Sequence, residues 1–210
     1  MKLSWIIAAV ILAAAGVLAA IQFSQPKTLA LQTSFEFPTP QAIAPFTLTD
    51  QHGNRFSNDD LTGHWSLFFI GYTSCPDVCP TTMGKLTAAY PLLSENTDLQ
   101  VIFLSVDPDR DSTDTLLNYA NFFNPEFVAV TGEHKQLYPL TRSLGFVYAM
   151  VGDGDNYQVD HSASFALISP QGEKVAIIKP KSDTPGKLPQ IKNSALIHDV
   201  KALIDKYNNG

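Results

Sequence analysis

The chain contains two cysteines, Cys75 and Cys79, which lie four positions apart. An uncharged and mainly apolar run, Trp65 to Ile70, precedes them and is typical of a buried strand. The stretch after them, Thr81 to Leu93, has helical character. Backbone N–H groups and the helix dipole at such a junction stabilise thiolates. Since disulfide exchange and soft-metal binding both need thiolates, the pair indicates one of these two chemistries.

The Cys-x-x-x-Cys spacing is one residue longer than that of the redox motif Cys-x-x-Cys. Positions i and i+4 share a helix face, so we expect both sulfurs to face one site. Two thiolates suit Cu(I), and Zn also accepts them. Neither ion is well held by two ligands alone, so we expect a third ligand elsewhere. The alternative is a structural disulfide, although the very short loop it would close predicts weak stabilisation.

The rest of the chain predicts an α/β fold. A thiol pair that follows the first central strand favours a thioredoxin-like sheet flanked by helices. The predicted elements are a hairpin over 46–57, a strand over 65–71, a helix over 81–93, a strand over 99–106, a helix over 113–123, a strand over 127–130, a helix over 133–144, hairpins over 146–159 and 164–178, and a C-terminal amphipathic helix over 196–207.

The third ligand is expected among the five histidines. His161 precedes the predicted strand Ser164 to Ser169, and in a thioredoxin-like fold the loop that enters this strand packs beside the cysteines. We therefore predict that His161 completes the site. The other histidines are interpreted as structural or surface residues: His52, His64, His134 and His198.

The N-terminal segment 1–23 is predicted to be a transmembrane anchor. As a helix, its apolar part Leu3–Ile21 would be roughly 28 Å long, close to the thickness of the bilayer core. Lys2 precedes it, so the positive-inside rule places the C-terminal domain in the periplasm or an equivalent exported compartment. A cleaved signal peptide is the alternative. We interpret residues 24–45, which contain four of the prolines, as a tether, and 46–210 as the folded domain.

Charge excludes one class of partner. The chain carries 14 basic and 20 acidic residues, a net charge of −6, and has no basic run. Nucleic acid is therefore not an expected partner.

Three motifs occur in the order and approximate separation typical of one family: Cys75-Pro76-Asp77-Val78-Cys79-Pro80, Val106-Asp107-Pro108-Asp109-Arg110-Asp111 and Asp160-His161-Ser162. Over residues 46–171 the chain resembles the Sco/SenC family of membrane-anchored copper chaperones. The resemblance implies a thioredoxin-like fold that binds copper, as Cu(I) or Cu(II), through Cys75, Cys79 and His161. It also implies a role in assembling the Cu-A centre of cytochrome c oxidase.

Four further residues are expected around the ligands without coordinating the metal: Asp77, Asp107, Arg110 and Asp160. By resemblance, Asp107 and Arg110 order a loop next to the site. Asp160 is a candidate carboxylate for orienting the His161 ring. The expected partners are the copper-acceptor subunit of the oxidase, a periplasmic copper donor and a thiol reductant.

Two functions remain open from the sequence. The first is a membrane-tethered copper chaperone, and the second is a thiol–disulfide oxidoreductase that cycles Cys75 and Cys79 to reduce the acceptor's cysteines. Peroxide reduction is a third class that nothing beyond the fold supports. His161 discriminates between the first two, because a pure disulfide exchanger has no need of it.

Overall fold

The computed structural model describes residues 7, 11, 13–17, 29–152, 154, 157–181 and 189–208. Residues 31–210 cluster as one unit and 1–30 as another. The strands are β1 (Ser34–Ala42), β2 (Thr47–Asp50), β3 (Arg55–Ser57), β4 (Trp65–Gly71), β5 (Leu99–Ser105), β6 (Val128–Thr131), β7 (Tyr148–Val151), β8 (Gln158–His161), β9 (Phe165–Ile168) and β10 (Glu173–Ile178). The helices are α1 (Val78–Leu93), α2 (Thr113–Phe123), α3 (His134–Leu144) and α4 (Asn193–Asn208).

Eight of the strands form one mixed sheet in the order β1-β10-β9-β4-β5-β6-β2-β3. The continuous apolar run of β4 lies at its centre, where all seven residues are buried. It pairs in parallel with β5 and antiparallel with β9. Helices flank this sheet, so the predicted α/β class is confirmed, and the predicted central position of β4 is confirmed as well.

The strands β7 and β8 form a separate two-stranded antiparallel sheet. Its register places Tyr148 opposite His161. The hairpin that the sequence predicts here therefore exists, but it lies outside the main sheet. Since β8 hydrogen-bonds only to β7 in this sheet, other contacts must fix its position relative to β4.

The predicted tether is wrong for residues 34–42, which form the edge strand β1 against β10. Its prolines obscured the strand in the sequence. The register shifts between Glu36 and Gln41, and this interval contains Pro38 and Pro40. Proline cannot donate to the strand ladder, and it is tolerated at an edge strand or a bulge such as this one.

The predicted membrane span Leu3–Ile21 lies largely outside the described residues, of which 7, 11 and 13–17 are helical. Within the part of the chain that the structure describes, no helix has the length and apolar character needed to cross a membrane.

The start of β1 is held by Asp199, a buried carboxylate of α4. It accepts hydrogen bonds from the backbone N–H groups of Gln32, Thr33 and Ser34, at 2.9, 2.8 and 2.8 Å. Burial alone would raise the pKa of the Asp199 carboxyl, but these bonds and His198 together lower it below its usual range. The ionised carboxylate therefore stabilises the folded state.

We expect Asp199→Asn to lower the free energy of unfolding by about 1–3 kcal/mol, since it weakens the buried acceptor of three backbone N–H groups. A group with a depressed folded-state pKa stabilises the protein above its unfolded pKa and loses that effect as pH falls. The difference from wild type should therefore shrink below about pH 4. Urea unfolding of the full chain measures this. The exposed Asp59 supplies the control Asp59→Asn, and an equal loss in both variants would contradict the role of Asp199.

Candidate metal centre

The two cysteines lie where the loop after β4 leads into α1. Cys79 is the second residue of α1 and is fully buried, whereas Cys75 precedes the helix and is half-buried. Their sulfurs therefore do not meet through an i, i+4 helix face, and that part of the prediction is wrong. The helix begins three residues earlier than predicted, because Pro80 is tolerated within a first turn.

The loop brings the Cys75 sulfur back over the N-terminus of α1. The backbone N–H of Cys79 donates to the Cys75 Sγ at 3.5 Å. A second backbone N–H, that of Asp77, also favours the Cys75 thiolate. Asp77 thus acts on this sulfur through its backbone. Its own side chain is exposed and caps no helix N–H group.

His161 is the last residue of β8 and reaches the cysteines from the other side. Its Nε2 lies 3.3 Å from the Cys79 Sγ. The two sulfurs and a His161 ring nitrogen all lie within 4.8 Å of one another. Among the described residues, no other group of three Cys, His, Asp or Glu side chains is placed to hold a metal ion. The two sulfurs and one imidazole form a donor set that suits a soft metal ion.

The ring of His161 is oriented by its neighbours. Its Nδ1 lies 3.0 Å from the Ser162 carbonyl oxygen, which accepts only if Nδ1 carries the proton. This tautomer leaves an Nε2 lone pair facing the sulfurs. Phe69 and Tyr72 make edge contacts with the ring, with centroids at 6.3 and 6.0 Å. Asp160, the candidate carboxylate for orienting this ring, is exposed, and the Ser162 carbonyl is the partner that the structure gives to Nδ1.

The two thiols ionise very differently. The hydrogen bond from Cys79, opposed by burial, lowers the pKa of Cys75 to about 3. The same hydrogen bond and burial raise the pKa of Cys79, and the negative charge of Asp111 adds to this. The pair therefore loses its first proton far more readily than its second, and the environment favours the thiolate on Cys75.

Asp111 fixes the loop that carries the thiols. This buried carboxylate accepts from the Thr73 N–H at 2.9 Å, from the Thr73 Oγ1 at 2.6 Å and from the Ser105 Oγ at 2.6 Å. It therefore joins the cysteine loop to the end of β5. Sequence reasoning did not single out Asp111 or Thr73. The available signal was a third acidic residue, after Asp107 and Asp109, in the loop directly after a buried strand.

The other predicted residues also have definite places. Asp107 is fully buried and pairs with Arg110, whose Nε lies 2.5 Å from its Oδ2. The four remaining histidines lie away from the thiols: His64 contacts Asp98, His134 contacts Tyr148, His198 contacts Asp199, and His52 is an exposed turn residue.

A cavity of about 510 Å³ opens beside the three candidate ligands. Cys75 and His161 both line it, whereas Cys79 does not. A molecule that enters the cavity would therefore meet Cys75 and His161 before the buried sulfur.

Comparison with known proteins places the chain in a family. The SCO1/SenC family profile matches residues 36–195. The chain belongs to the SCO1/SenC family. An SCO2-like protein of Rickettsia prowazekii is 41% identical over 132 residues, which are 61% of this chain and 64% of that protein. The match thus spans slightly less than two thirds of the relative's length.

Solved structures of other Sco proteins share this fold. Arabidopsis thaliana ScoI with copper bound is 29% identical with a TM-score of 0.67, over 80% of this chain and 99% of that one. BsSco, described as having a disulfide switch and as a member of the Sco family of cytochrome c oxidase assembly proteins, is 26% identical with a TM-score of 0.60, over 80% and 96%. The predicted family membership is confirmed.

The low pKa of Cys75 predicts how the rate of its alkylation depends on pH. Carbamidomethylation of Cys75 in the reduced full chain should proceed at a nearly constant rate between pH 5 and 8, because the thiolate is already formed above about pH 3. Peptide mass spectrometry separates Cys75 from Cys79. The urea-unfolded chain is the control, in which both rates should rise through the ordinary thiol pKa. A tenfold rise per pH unit in the folded protein would contradict the assignment.

A second prediction concerns Gly71, the last residue of β4. Its lack of a side chain leaves room for the Cys79 sulfur. A Cβ at this position would lie 2.6 Å from the Cys79 Sγ and 2.9 Å from a Phe103 ring carbon. We expect Gly71→Ala to displace the sulfur and to destabilise the protein by about 1–3 kcal/mol, as overpacked cores do. Gly84→Ala on α1 is the matched control, since nothing lies within 4 Å of its added Cβ. Urea unfolding compares them, and equal stabilities would refute this view of Gly71.

Proposed function

We propose that this SCO1/SenC protein binds copper through Cys75, Cys79 and His161 and delivers it to the Cu-A centre of cytochrome c oxidase. The observation that carries the proposal is the convergence of two sulfurs and one imidazole nitrogen within 4.8 Å. Copper-bound structures of relatives, such as Arabidopsis thaliana ScoI, support the choice of metal. The description of BsSco as a member of a family of oxidase assembly proteins supports the destination.

The chemistry of the donors fits such a cargo. Thiolate sulfur favours Cu(I), and a neutral imidazole adds a donor that also suits Cu(II). Cys75 is already a thiolate, so the metal has to displace only the Cys79 proton when it binds. The Nδ1 of the imidazole is hydrogen-bonded to the Ser162 carbonyl, so Nε2 can bind the metal without a large change in the orientation of the ring.

The location is part of the proposal. The apolar segment Leu3–Ile21, with Lys2 before it, supports a single-pass anchor in the inner (cytoplasmic) membrane that leaves the domain on the exported side. There the protein would receive copper from a periplasmic donor and pass it to the acceptor subunit of the oxidase. A thiol reductant would keep the cysteine pair reduced, because an oxidising compartment favours its disulfide.

A second function, thiol–disulfide exchange, is favoured by the asymmetry of the two thiols. Cys75 is a half-exposed thiolate beside the cavity, and Cys79 is a buried thiol. The Cys75 thiolate would attack an acceptor disulfide and release one acceptor thiolate, which takes up a proton. Cys79 would then lose its proton, attack the mixed disulfide at Cys75 and release the second acceptor thiol. The acceptor disulfide is reduced to two thiols and Cys75–Cys79 is oxidised.

His161→Ala separates the two functions. It removes a donor but leaves both thiols, so the copper affinity of the reduced full chain should fall by more than the ~10–100-fold typical of changes beside a metal site. Copper competition against a chelator measures this, together with the copper content of the oxidase in cells that carry the variant. The rate of disulfide exchange should change much less, since it depends on the thiolate and its access.

The controls are an exposed histidine and the oxidised protein. His52→Ala should bind copper as wild type does, because His52 lies on the β2–β3 turn. Oxidation of Cys75 and Cys79 to the disulfide should abolish binding, because both sulfurs lose the charge that makes them ligands. Unchanged copper affinity and normal oxidase assembly with His161→Ala would remove His161 from the site and favour disulfide exchange as the function.

A further inference from the structure

Arg110 lies where three segments of the site meet. Its Nε donates to the Asp107 carboxylate, and its Nη1 donates to the backbone oxygen of Tyr157 at 2.9 Å. The guanidinium carbon lies 3.8 Å from the centroid of the Tyr157 ring and 5.5 Å from that of Tyr72. Arg110 therefore touches the loop after β5, the residue before β8 and the residue after β4.

Tyr157 is held at three points by this arrangement. Its carbonyl accepts from Arg110, its ring lies against the guanidinium, and its hydroxyl donates to the second oxygen of Asp107. Asp107 is fully buried, so its charge needs both the cation and these donors. Tyr157 immediately precedes β8, the four-residue strand that ends in His161.

The hairpin needs such an attachment. The strands β7 and β8 pair with each other and not with the main sheet, and a two-stranded hairpin is marginally stable by itself. The position of His161, at the end of β8, is therefore only as well defined as the position of the strand. Tyr157 fixes the other end.

We propose that Tyr157, Arg110 and Asp107 form a clamp that positions His161 beside Cys79, with Tyr157 as the positioning residue. The inference rests on the proposed function in taking His161 as a metal ligand. The clamp acts on the direction and persistence of the imidazole, and it leaves the chemistry of the two sulfurs unchanged.

The same turn of chain also holds the cysteine loop. The N–H groups of Arg110 and Asp111 both donate to the Asp107 carbonyl, at 3.3 and 2.9 Å, which closes the turn. Asp111 in turn holds Thr73 of the cysteine loop. The turn 107–111 therefore contacts both parts of the site. Arg110 contacts Tyr157, which precedes the strand of His161, and Asp111 contacts Thr73 in the loop that carries the cysteines.

The test compares Tyr157→Phe and Arg110→Lys with wild type in the full chain. Tyr157→Phe keeps the ring on the guanidinium and removes only the hydroxyl bond to Asp107. Arg110→Lys keeps a positive charge and loses the planar fork that reaches Asp107 and Tyr157 together. Tyr148→Phe is the matched control, because Tyr148 lies on the same hairpin opposite His161 and its hydroxyl contacts His134.

Three measurements are made on each variant, the third being the rate of Cys75 alkylation. The first is the ¹⁵N spectrum of histidine-labelled, metal-free protein, with His161→Ala to assign the His161 signals. The second is copper affinity by chelator competition. We expect Tyr157→Phe and Arg110→Lys to shift the His161 signals toward those of an imidazole that exchanges between its two neutral tautomers. We also expect both variants to weaken copper binding about 10–100-fold. Alkylation of Cys75 should keep its wild-type rate, and Tyr148→Phe should match wild type in all three.

The outcomes separate the clamp from the proposed function. Unchanged His161 signals in both clamp variants would overturn the clamp, as would an equal change in Tyr148→Phe, which would indicate general loosening of the hairpin. If His161→Ala binds copper as wild type does, the ligand assignment fails, and the metal-free spectra still decide whether the clamp positions the ring. Circular dichroism confirms folding, and the conservative Tyr157→Phe keeps the test valid where Arg110→Lys does not fold.

Discussion

The placement of the thiols depends on one buried carboxylate, that of Asp111. A buried charge is costly unless donors satisfy it, and these donors come from Thr73 and Ser105. The cysteine loop is therefore fixed to β5 by the need to satisfy a charge, in addition to apolar packing. The hydrogen bond with Cys75 and burial are the main causes that raise the pKa of Cys79, and the charge of Asp111 adds a smaller contribution in the same direction.

That protonation state is compatible with both proposed chemistries. A metal ion and an attacked disulfide each require Cys79 to give up its proton, and each begins at the thiolate of Cys75. What differs is the imidazole. The Nε2 of His161 lies 3.3 Å from the Cys79 sulfur, where it adds a donor to a metal, whereas exchange between sulfurs proceeds without one. The chemistry that the site favours therefore depends on how firmly the hairpin presents this ring.

The sequence predicted the parts of the fold that have a local signature. The apolar run of β4 and the predicted helices over 113–123 and 133–144 follow from residue type, and the structure confirms them to within one residue, with Ser112 capping the first helix and Gly145 ending the second. Three motifs sufficed to indicate Cys75, Cys79 and His161 as partners across the chain. β1 was missed because its prolines are permitted by an edge position that only the tertiary structure creates.

The surroundings of the site were harder to predict, because they depend on atoms that every residue carries. The Ser162 carbonyl, rather than the Asp160 carboxylate, accepts from His161, and a backbone carbonyl has no sequence signature. Tyr157 contributes its carbonyl and ring as well as its hydroxyl, so its residue type alone does not reveal its contacts.

The three candidate ligands differ in their exposure. Cys75 and His161 line the cavity, while Cys79 is buried under the backbone of Gly71. Among the residues that the structure describes, the cavity therefore gives access to the candidate ligands from the side of Cys75 and His161. Because His161 is carried by a hairpin outside the main sheet and Cys79 by a helix within the packed core, the imidazole can withdraw at a smaller structural cost than the buried sulfur. A carrier that must release its cargo benefits from this asymmetry, since one ligand can yield to the acceptor while the core holds the other.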